Sequence, residues 1–299
     1  MFTQEIGVPV AGGELCVGLA GEPPDAGAPV VVCVHGITSN HLAFGRVVRH
    51  VGHGLTLVAP DLRGRGGSAG LPGPYGMRAH AADLESVLDH LGLDTVVAVG
   101  HSMGAFVVAM LAVVAPERTA SVVLVDGGLP IPAPVDVDPD AVIDTLLGPA
   151  VARLNQTFAS ADDYVAFWRA HPAFAYSGVW NDDVEAWVRS DLDGSPPALR
   201  PKVAERAVRT DGAELIVDDD ARMAAALVTA PTHLLRAEWG LFHEPNPLIP
   251  AEDAAAFAGT HPNVVVEAVP GANHYTILLG DDGARAVGAA ISAALATPG

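Results

Sequence analysis

The sequence predicts an α/β fold: a doubly wound, mostly parallel sheet of eight strands, with helices on both faces and a helical cap inserted into it. Two observations carry this prediction. Short β-branched runs alternate with amphipathic stretches at helical spacing over residues 1–129 and again over residues 229–299, which is typical of parallel strands joined by crossover helices. Residues 130–228 show helical patterns and no strand pattern. An insertion of this length is too long for a loop, so we expect it to form the cap.

The eight predicted strands are runs of apolar, largely β-branched residues bounded by glycine, proline or polar residues. Ala11-Gly12-Gly13 separates the first two runs and predicts an antiparallel hairpin at the edge of the sheet. Val30–Val34 is apolar throughout, as a strand covered on both faces requires. The strands are predicted at residues 5–10, 14–20, 30–34, 55–59, 95–99, 121–125, 232–237 and 264–267.

Helices are predicted where apolar residues recur every three or four positions. Gly92 and Gly259 follow two of these stretches and mark their ends, since glycine readily terminates a helix. The core helices are predicted at residues 40–53, 78–91, 102–115, 251–258 and 282–295, and the cap helices at 141–158, 162–170, 182–190 and 198–210. The acidic residues 218–220, beyond the last cap helix, predict a solvated turn.

Composition restricts the class of partner. Half of the 299 residues are hydrophobic, which is enough for a full core. The net charge of −19 disfavours binding to nucleic acid or to an anionic membrane, and small neutral or weakly polar substrates fit it better. The first residues lack a positive segment followed by an apolar one, so we expect a cytoplasmic protein. The expected oligomeric state is a monomer or a homodimer.

The residues from Val96 to Phe106 organise the predicted site. A β-branched run ends at Gly100, and an apolar helical stretch follows Gly104. The pattern Gly100-x-Ser102-x-Gly104 at such a junction is a nucleophile elbow, in which a sharp turn holds a strained serine above the sheet. Ser102 is therefore the predicted nucleophile.

A serine hydroxyl needs an adjacent imidazole to accept its proton, and that imidazole needs a carboxylate to fix its tautomer. His274 lies just beyond the last predicted strand and is the predicted base. Asp126 directly follows the strand after the elbow strand. Because parallel strands end at one edge of a sheet, we expect Ser102, Asp126 and His274 to meet there.

Four motifs occur in the order and approximate spacing of the α/β-hydrolase superfamily. They are His35-Gly36, Asp61-x-Arg63-Gly64-x-Gly66-x-Ser68, Gly100-His101-Ser102-Met103-Gly104 and Gly271-x-Asn273-His274. Over essentially its whole length the chain resembles this superfamily, in particular its serine esterases and lactonases with a helical cap. The resemblance implies the fold predicted above and serine chemistry. Since the sequence has no zinc spacing, phosphate loop or dinucleotide fingerprint, we expect no metal and no cofactor.

The identity of the acid stays open. In most members of the superfamily the acid follows the strand after the cap, but Gly240 occupies that position here. Asp126 is the favoured acid, in a placement that resembles zearalenone-type lactone hydrolases. Glu238 is the alternative, and Glu244 is a third carboxylate in the same stretch.

The resemblance also implies the groups around the nucleophile. The backbone N–H groups of Ile37 and Met103 are the expected oxyanion hole, which stabilises the charge of a tetrahedral intermediate. Residues expected to contact the substrate lie beside these groups or in the aromatic cap. They are Gly36, Thr38, His101, Trp168, Trp180, Trp187 and Tyr275.

The expected activity is hydrolysis of an ester or lactone of a mostly apolar small molecule, through an acyl-enzyme on Ser102. Three other reactions use the same groups and stay open: hydrolysis of a C–C bond, acyl transfer and perhydrolysis. A ligand receptor without catalytic activity is the alternative from a different class. A serine in the elbow disfavours epoxide hydrolases and dehalogenases, which use an aspartate there.

Overall fold

The computed structural model describes residues 2–130, 138–176 and 179–296. Its strands are β1 (Gln4–Val10), β2 (Gly13–Gly21), β3 (Val30–Val34), β4 (Thr56–Pro60), β5 (Val96–His101), β6 (Thr119–Val125), β7 (Leu192–Asp193), β8 (Arg200–Pro201), β9 (Thr232–Ala237) and β10 (Val264–Val269). Eight of them form one sheet in the order β1-β2-β4-β3-β5-β6-β9-β10. β2 pairs antiparallel with β1 and β4, and the other neighbours are parallel. The predicted α/β class and the mostly parallel eight-stranded sheet are confirmed.

Helices cover both faces of this sheet. They are α1 (Gly45–Val48), α2 (Met77–His90), α3 (Met103–Val114), α4 (Pro139–Leu154), α5 (Ala161–Arg169), α6 (Asp182–Ser190), α7 (Glu205–Val217), α8 (Asp219–Leu227), α9 (Ala251–Thr260), α10 (Thr276–Leu279) and α11 (Asp281–Ala296). Successive residues of β3 alternate between two apolar clusters: Val32 packs with residues of α2 and α3, and Val31 with residues of α1 and α11. The continuous apolar run of β3 reflects this burial on both faces.

The helix predicted at residues 40–53 is wrong in extent. Only Gly45–Val48 is α-helical, after a short 3₁₀ turn at His41–Phe44. Gly52 and Gly54 follow closely, and Gly54 has a φ of 79°, which ends any continuation of the helix.

The chain between β6 and β9 contributes helices α4 to α8. The helix predicted at 198–210 is wrong in position, because β7 and β8 pair there as a short antiparallel ladder and α7 begins only at Glu205. Pro196, Pro197 and Pro201 explain the difference, since proline lacks the N–H that a helix interior needs. The core at 1–129 and 229–299 and the cap at 130–228 stay predicted divisions, and residues 131–137 lie outside the described part of the chain.

The three acidic residues at 218–220 are exposed, as predicted, but only Asp218 lies between helices rather than within one. The side chain of Asp218 accepts a hydrogen bond from the N–H of Ala221 at 2.9 Å, and Asp219 and Asp220 occupy the first turn of α8. A capping acceptor and negative charge at a helix N-terminus both stabilise the helix, which explains the cluster. No helix in the described ranges is long and apolar enough to cross a membrane.

The topology brings the predicted site together. β3, β5, β6, β9 and β10 are parallel neighbours, so their carboxyl ends lie at one edge of the sheet. The segments that follow these ends contain Ile37, Ser102, Asp126, Glu238 and His274, in that order. The predicted nucleophile, base, oxyanion donor and two candidate acids therefore follow five separate strand ends.

Candidate active site

Ser102 sits in a strained turn between β5 and α3. Its φ of 56° and ψ of −123° are unusual for a residue with a side chain. A Cβ on Gly100 would lie 2.1 Å from the carbonyl oxygen of Gly104, and a Cβ on Gly104 would lie 2.1 Å from that of Val34. Only glycine fits at both positions, so the two glycines permit the sharp turn that presents Ser102 to the cavity above the sheet.

Asp126 and His274 form a direct, buried contact. Asp126 Oδ2 lies 2.7 Å from His274 Nδ1, and Asp126 has no exposed surface. The other carboxylate oxygen, Oδ1, accepts a hydrogen bond from the N–H of Ala237 at 2.9 Å, and the Asp126 N–H donates to Leu235. The strand beside β6 thus fixes the carboxylate. A carboxylate at Nδ1 holds the imidazole proton there and leaves Nε2 free to accept a proton.

Ser102 and His274 line the same cavity. Within the described residues no hydrogen bond joins the Ser102 hydroxyl to the imidazole of His274. Such bonds are often long in unliganded enzymes and shorten when substrate binds. The absence of this hydrogen bond from the unliganded structure is therefore compatible with proton transfer.

The alternative acids make other contacts. Glu238 is exposed, and its Oε2 accepts a hydrogen bond from the N–H of Gly271 at 2.7 Å. Glu244 accepts one from the N–H of Phe242 at 2.7 Å. The structure therefore brings Asp126, rather than Glu238 or Glu244, to the imidazole of His274.

His101, the last residue of β5, contacts the backbone of His274. Its Nε2 donates to the backbone carbonyl of His274 at 2.8 Å, and the two rings lie 4.7 Å apart. Burial, together with the neighbouring His274, holds the pKa of His101 well below its usual range. His101 is thus a neutral donor that fixes the backbone of the histidine loop.

The two expected oxyanion donors flank Ser102. Met103 is the first residue of α3, where a backbone N–H has no acceptor within the helix. In the described parts of the chain no hydrogen bond uses the N–H of Ile37 or of Met103. A Cβ on Gly36 would lie 3.1 Å from Ser102 Cβ, so bare backbone approaches the nucleophile closely here.

A cavity of about 580 Å³ lies above these groups, and most of its lining is apolar. Six of the residues expected to contact substrate line it: Gly36, Thr38, His101, Trp168, Trp187 and Tyr275. Trp180, also expected to contact substrate, is not among these lining residues. Its Nε1–H instead donates to Glu185 at 3.4 Å, and the guanidinium of Arg169 lies 4.6 Å from its ring centroid.

Sequence reasoning missed several residues of the cavity. Leu248, Ile249 and Phe257, in and before α9, supply an apolar wall. Arg153 of α4 and His171 line the aromatic side. The apolar residues carry no signal that separates a cavity wall from ordinary core, but a lone arginine in an apolar helical pattern could have been noticed.

Comparison with known proteins agrees with this architecture. The family profile described as alpha/beta hydrolase fold matches residues 29–281. The chain is 33% identical to Lipase LipV of Mycobacterium tuberculosis over 176 residues, which is 58% of this chain and 60% of the lipase. It is 28% identical to 2-(acetamidomethylene)succinate hydrolase of Mesorhizobium japonicum over 248 residues, 83% of this chain and 82% of that protein.

A crystal structure of E-2-(acetamidomethylene)succinate hydrolase superposes with a TM-score of 0.79 at 24% identity, covering 99% of this chain and 100% of that one. This likeness shows the shared fold. The family profile, which spans most of the chain, identifies the present sequence as a member of the α/β-hydrolase family.

Proposed function

We propose that this hydrolase cleaves a carboxylic ester or lactone of a mostly apolar small molecule through an acyl-enzyme on Ser102. The observation that carries the proposal is the 2.7 Å contact between Asp126 Oδ2 and His274 Nδ1, in a cavity that the elbow serine also lines. A nucleophile, a base and a carboxylate that orients the base are the groups that acyl transfer to serine requires.

The reaction proceeds in two halves. His274 Nε2 accepts the proton of the Ser102 hydroxyl as its oxygen attacks the substrate carbonyl, and the N–H groups of Ile37 and Met103 stabilise the resulting oxyanion. The tetrahedral intermediate collapses, His274 protonates the departing alkoxide, and an acyl ester on Ser102 remains. A water molecule then gives its proton to His274 and attacks the acyl ester. Collapse of the second intermediate returns the proton to Ser102 and releases the acid.

The cavity supports an apolar substrate, and the names of two relatives support acyl hydrolysis. The cavity lining is dominated by aliphatic and aromatic side chains, and burial of apolar surface is the main source of affinity in such pockets. The names of two relatives, a lipase and a succinate-derivative hydrolase, fit hydrolysis of an acyl compound. C–C bond hydrolysis, acyl transfer and perhydrolysis use the same groups and differ in the bond cleaved or in the acceptor.

The test combines turnover with trapping of the intermediate. Wild type should release p-nitrophenol from p-nitrophenyl esters, and rapid quenching followed by mass spectrometry should find the acyl group on the peptide that contains Ser102. Ser102→Ala should lose both signals. Ser86→Ala is the matched control, because Ser86 is a partly exposed serine on α2 that does not line the cavity, and its hydroxyl donates to the carbonyl of Ala82. Absence of turnover and adduct with esters and lactones, with ligand binding retained, would instead identify a receptor.

A further inference from the structure

Arg153 is the one lysine or arginine among the described residues that line the cavity. It is 2% exposed. Its Nη1 donates to Asp191 Oδ2 at 2.5 Å and contacts the Tyr164 hydroxyl, and its Nη2 lies 3.4 Å from the carbonyl oxygen of Thr38. Among the described residues, Arg153 is thus the one permanently cationic side chain in the wall of a mostly apolar cavity, and Asp253 is the one carboxylate.

The contacts of Arg153 leave one edge of its guanidinium almost unused. Arg153 Nε is buried and has no hydrogen-bond partner among the described residues, and the only contact of Nη2 is the long one to Thr38. The N–H groups of Nε and Nη2 point from the same edge and match the two oxygens of a carboxylate. An unpaired buried donor is costly, so this edge is suited to an acceptor that the protein itself does not supply.

The ion pair with Asp191 does not use this edge. Asp191 contacts the guanidinium through Oδ2 alone, and in the described structure its Oδ1 has no hydrogen-bond partner. A pair that served only to hold the cap together would gain from both oxygens. The observed arrangement instead balances the charge of Arg153 from one side and leaves Nε and Nη2 without a carboxylate partner among the described residues.

His171 adds a second donor to the same wall. Its Nδ1 accepts a hydrogen bond from the N–H of Ala173 at 3.2 Å, so the neutral ring carries its proton on Nε2. Burial and the charge of Arg153 lower the pKa of His171 to about 4, which keeps the ring neutral. The indole of Trp168 is close to both Arg153 and His171. Its ring centroid lies 5.1 Å from Arg153 Cζ and 5.2 Å from the ring centroid of His171.

We propose that the substrate carries a carboxylate in addition to the bond that is cleaved, and that Arg153 binds this carboxylate through its Nε–Nη2 edge. This inference rests on the proposed function and narrows the substrate class to acyl compounds with an acidic group. The net charge of −19 does not oppose it, since exposed charges are screened beyond about 8 Å at physiological salt, whereas Arg153 acts at contact distance.

The test compares matched substrates. Mono-p-nitrophenyl esters of succinate, glutarate and adipate are each paired with the neutral ester in which an isopropyl group replaces the carboxylate. After subtraction of spontaneous hydrolysis, the ratio of kcat/KM for the acidic and neutral partners is the readout. Wild type should prefer the acidic ester at one chain length at least, by about tenfold, as expected for hydrogen bonds to a charged group.

Two variants separate binding from structure. Arg153→Met should lower this ratio by about tenfold. Asp191→Asn changes the same buried cluster but keeps the guanidinium, so the ratio should be retained. Arg153→Lys keeps the positive charge but loses the planar pair of N–H donors, so it should also lower the ratio. This variant provides the same test of carboxylate binding if Arg153→Met does not fold. Equal losses on both partners in the Arg153 variants, or a neutral preference of wild type at every length, would overturn the inference.

Calorimetric binding to the Ser102→Ala protein keeps this test distinct from that of the proposed function. Tighter binding of the acidic ester than of its neutral partner, lost on additional Arg153→Met, supports the carboxylate site whether or not wild type turns the esters over. Hydrolysis of neutral esters by wild type, without any acidic preference in binding, contradicts the site and leaves the proposed function standing.

Discussion

The side chain of His35 donates from Nδ1 to the carbonyl oxygen of Gly36 at 2.7 Å. The proton is on Nδ1 because Nε2 accepts a hydrogen bond from the N–H of Leu62 at 3.0 Å. The carbonyl of Gly36 and the N–H of Ile37 belong to one peptide group, and in a trans peptide they point in opposite directions. By holding the carbonyl, His35 directs the N–H of Ile37 away from itself and fixes the orientation of an expected oxyanion donor.

Replacing His35 should therefore reduce catalysis more than binding. In His35→Ala the Gly36 carbonyl keeps only the longer hydrogen bond from the N–H of Ser39, at 3.2 Å. We therefore expect kcat on p-nitrophenyl esters to fall by about tenfold to a hundredfold, with KM changed by less than threefold. The buried N–H of Leu62 also loses its acceptor, which should cost about 1–3 kcal/mol of unfolding free energy. Steady-state kinetics and urea unfolding measure the two effects. His53→Ala, at an exposed position, is the control; wild-type kcat in a folded His35→Ala protein would contradict the role.

The same residue should make stability depend on pH. Burial lowers the pKa of His35 from 6.5 to about 4. Between these values the unfolded chain binds a proton that the folded protein does not, so the contribution of His35 falls as the pH drops from about 6.5 to 4, by about 3 kcal/mol. Urea unfolding of wild type and His35→Asn between pH 7 and 4.5 tests this. The stability advantage of wild type should shrink as the pH falls, and a constant difference would speak against it.

The sequence could predict those parts of the site that depend on local chain geometry. Ser102 is identified by the glycines on either side of it, and Met103 follows from its place at the start of a helix. Asp126 required more, because its role depends on which strands are neighbours. The carboxylate of Asp126 is held by the N–H of Ala237 in β9, a strand that neighbours β6 in the sheet but is separated from it along the chain by the predicted cap.

The cap was harder to predict for a physical reason. Helical spacing gives the apolar face of a helix but not the surface on which that face packs. The pattern therefore could not separate Trp168 and Trp187, which line the cavity, from Trp180, which packs against Arg169 and Glu185. The same holds for the helix predicted at 198–210, where proline chemistry and tertiary pairing override a weak helical pattern.

The identity of the acid can be decided by a pair of substitutions. Asp126→Asn keeps the size of the side chain but removes the charge that holds the proton on His274 Nδ1, so kcat should fall by about ten-thousandfold. Glu238→Gln changes an exposed side chain that contacts only the turn at Gly271, and kcat should stay within a few-fold of wild type. Both are measured on the same p-nitrophenyl ester, and the reverse order of effects would make Glu238 the acid.

Asn273 connects the cap to the histidine loop, and its two halves can be tested separately. Its Oδ1 accepts hydrogen bonds from the N–H groups of Tyr275 and Thr276 at 3.0 and 2.9 Å, while its Nδ2 donates to the carbonyl of Ala173 at 3.0 Å. Asn273→Asp keeps an acceptor for the loop and loses the donor to the cap. Asn273→Ala loses both.

Because the loop carries His274, the two Asn273 variants should differ in kcat rather than only in stability. Asn273→Ala should lower kcat by at least about tenfold, since the loop that presents the base is no longer held, whereas Asn273→Asp should retain most of kcat. Both should lose about 1–3 kcal/mol of unfolding free energy, because each leaves buried polar groups unpaired. Steady-state kinetics and urea unfolding on the same preparations give both numbers. An equal loss of kcat in the two variants would show that the link from Asn273 to the cap, rather than the loop bonds, controls the position of His274. Wild-type kcat in both would show that neither set of bonds controls it.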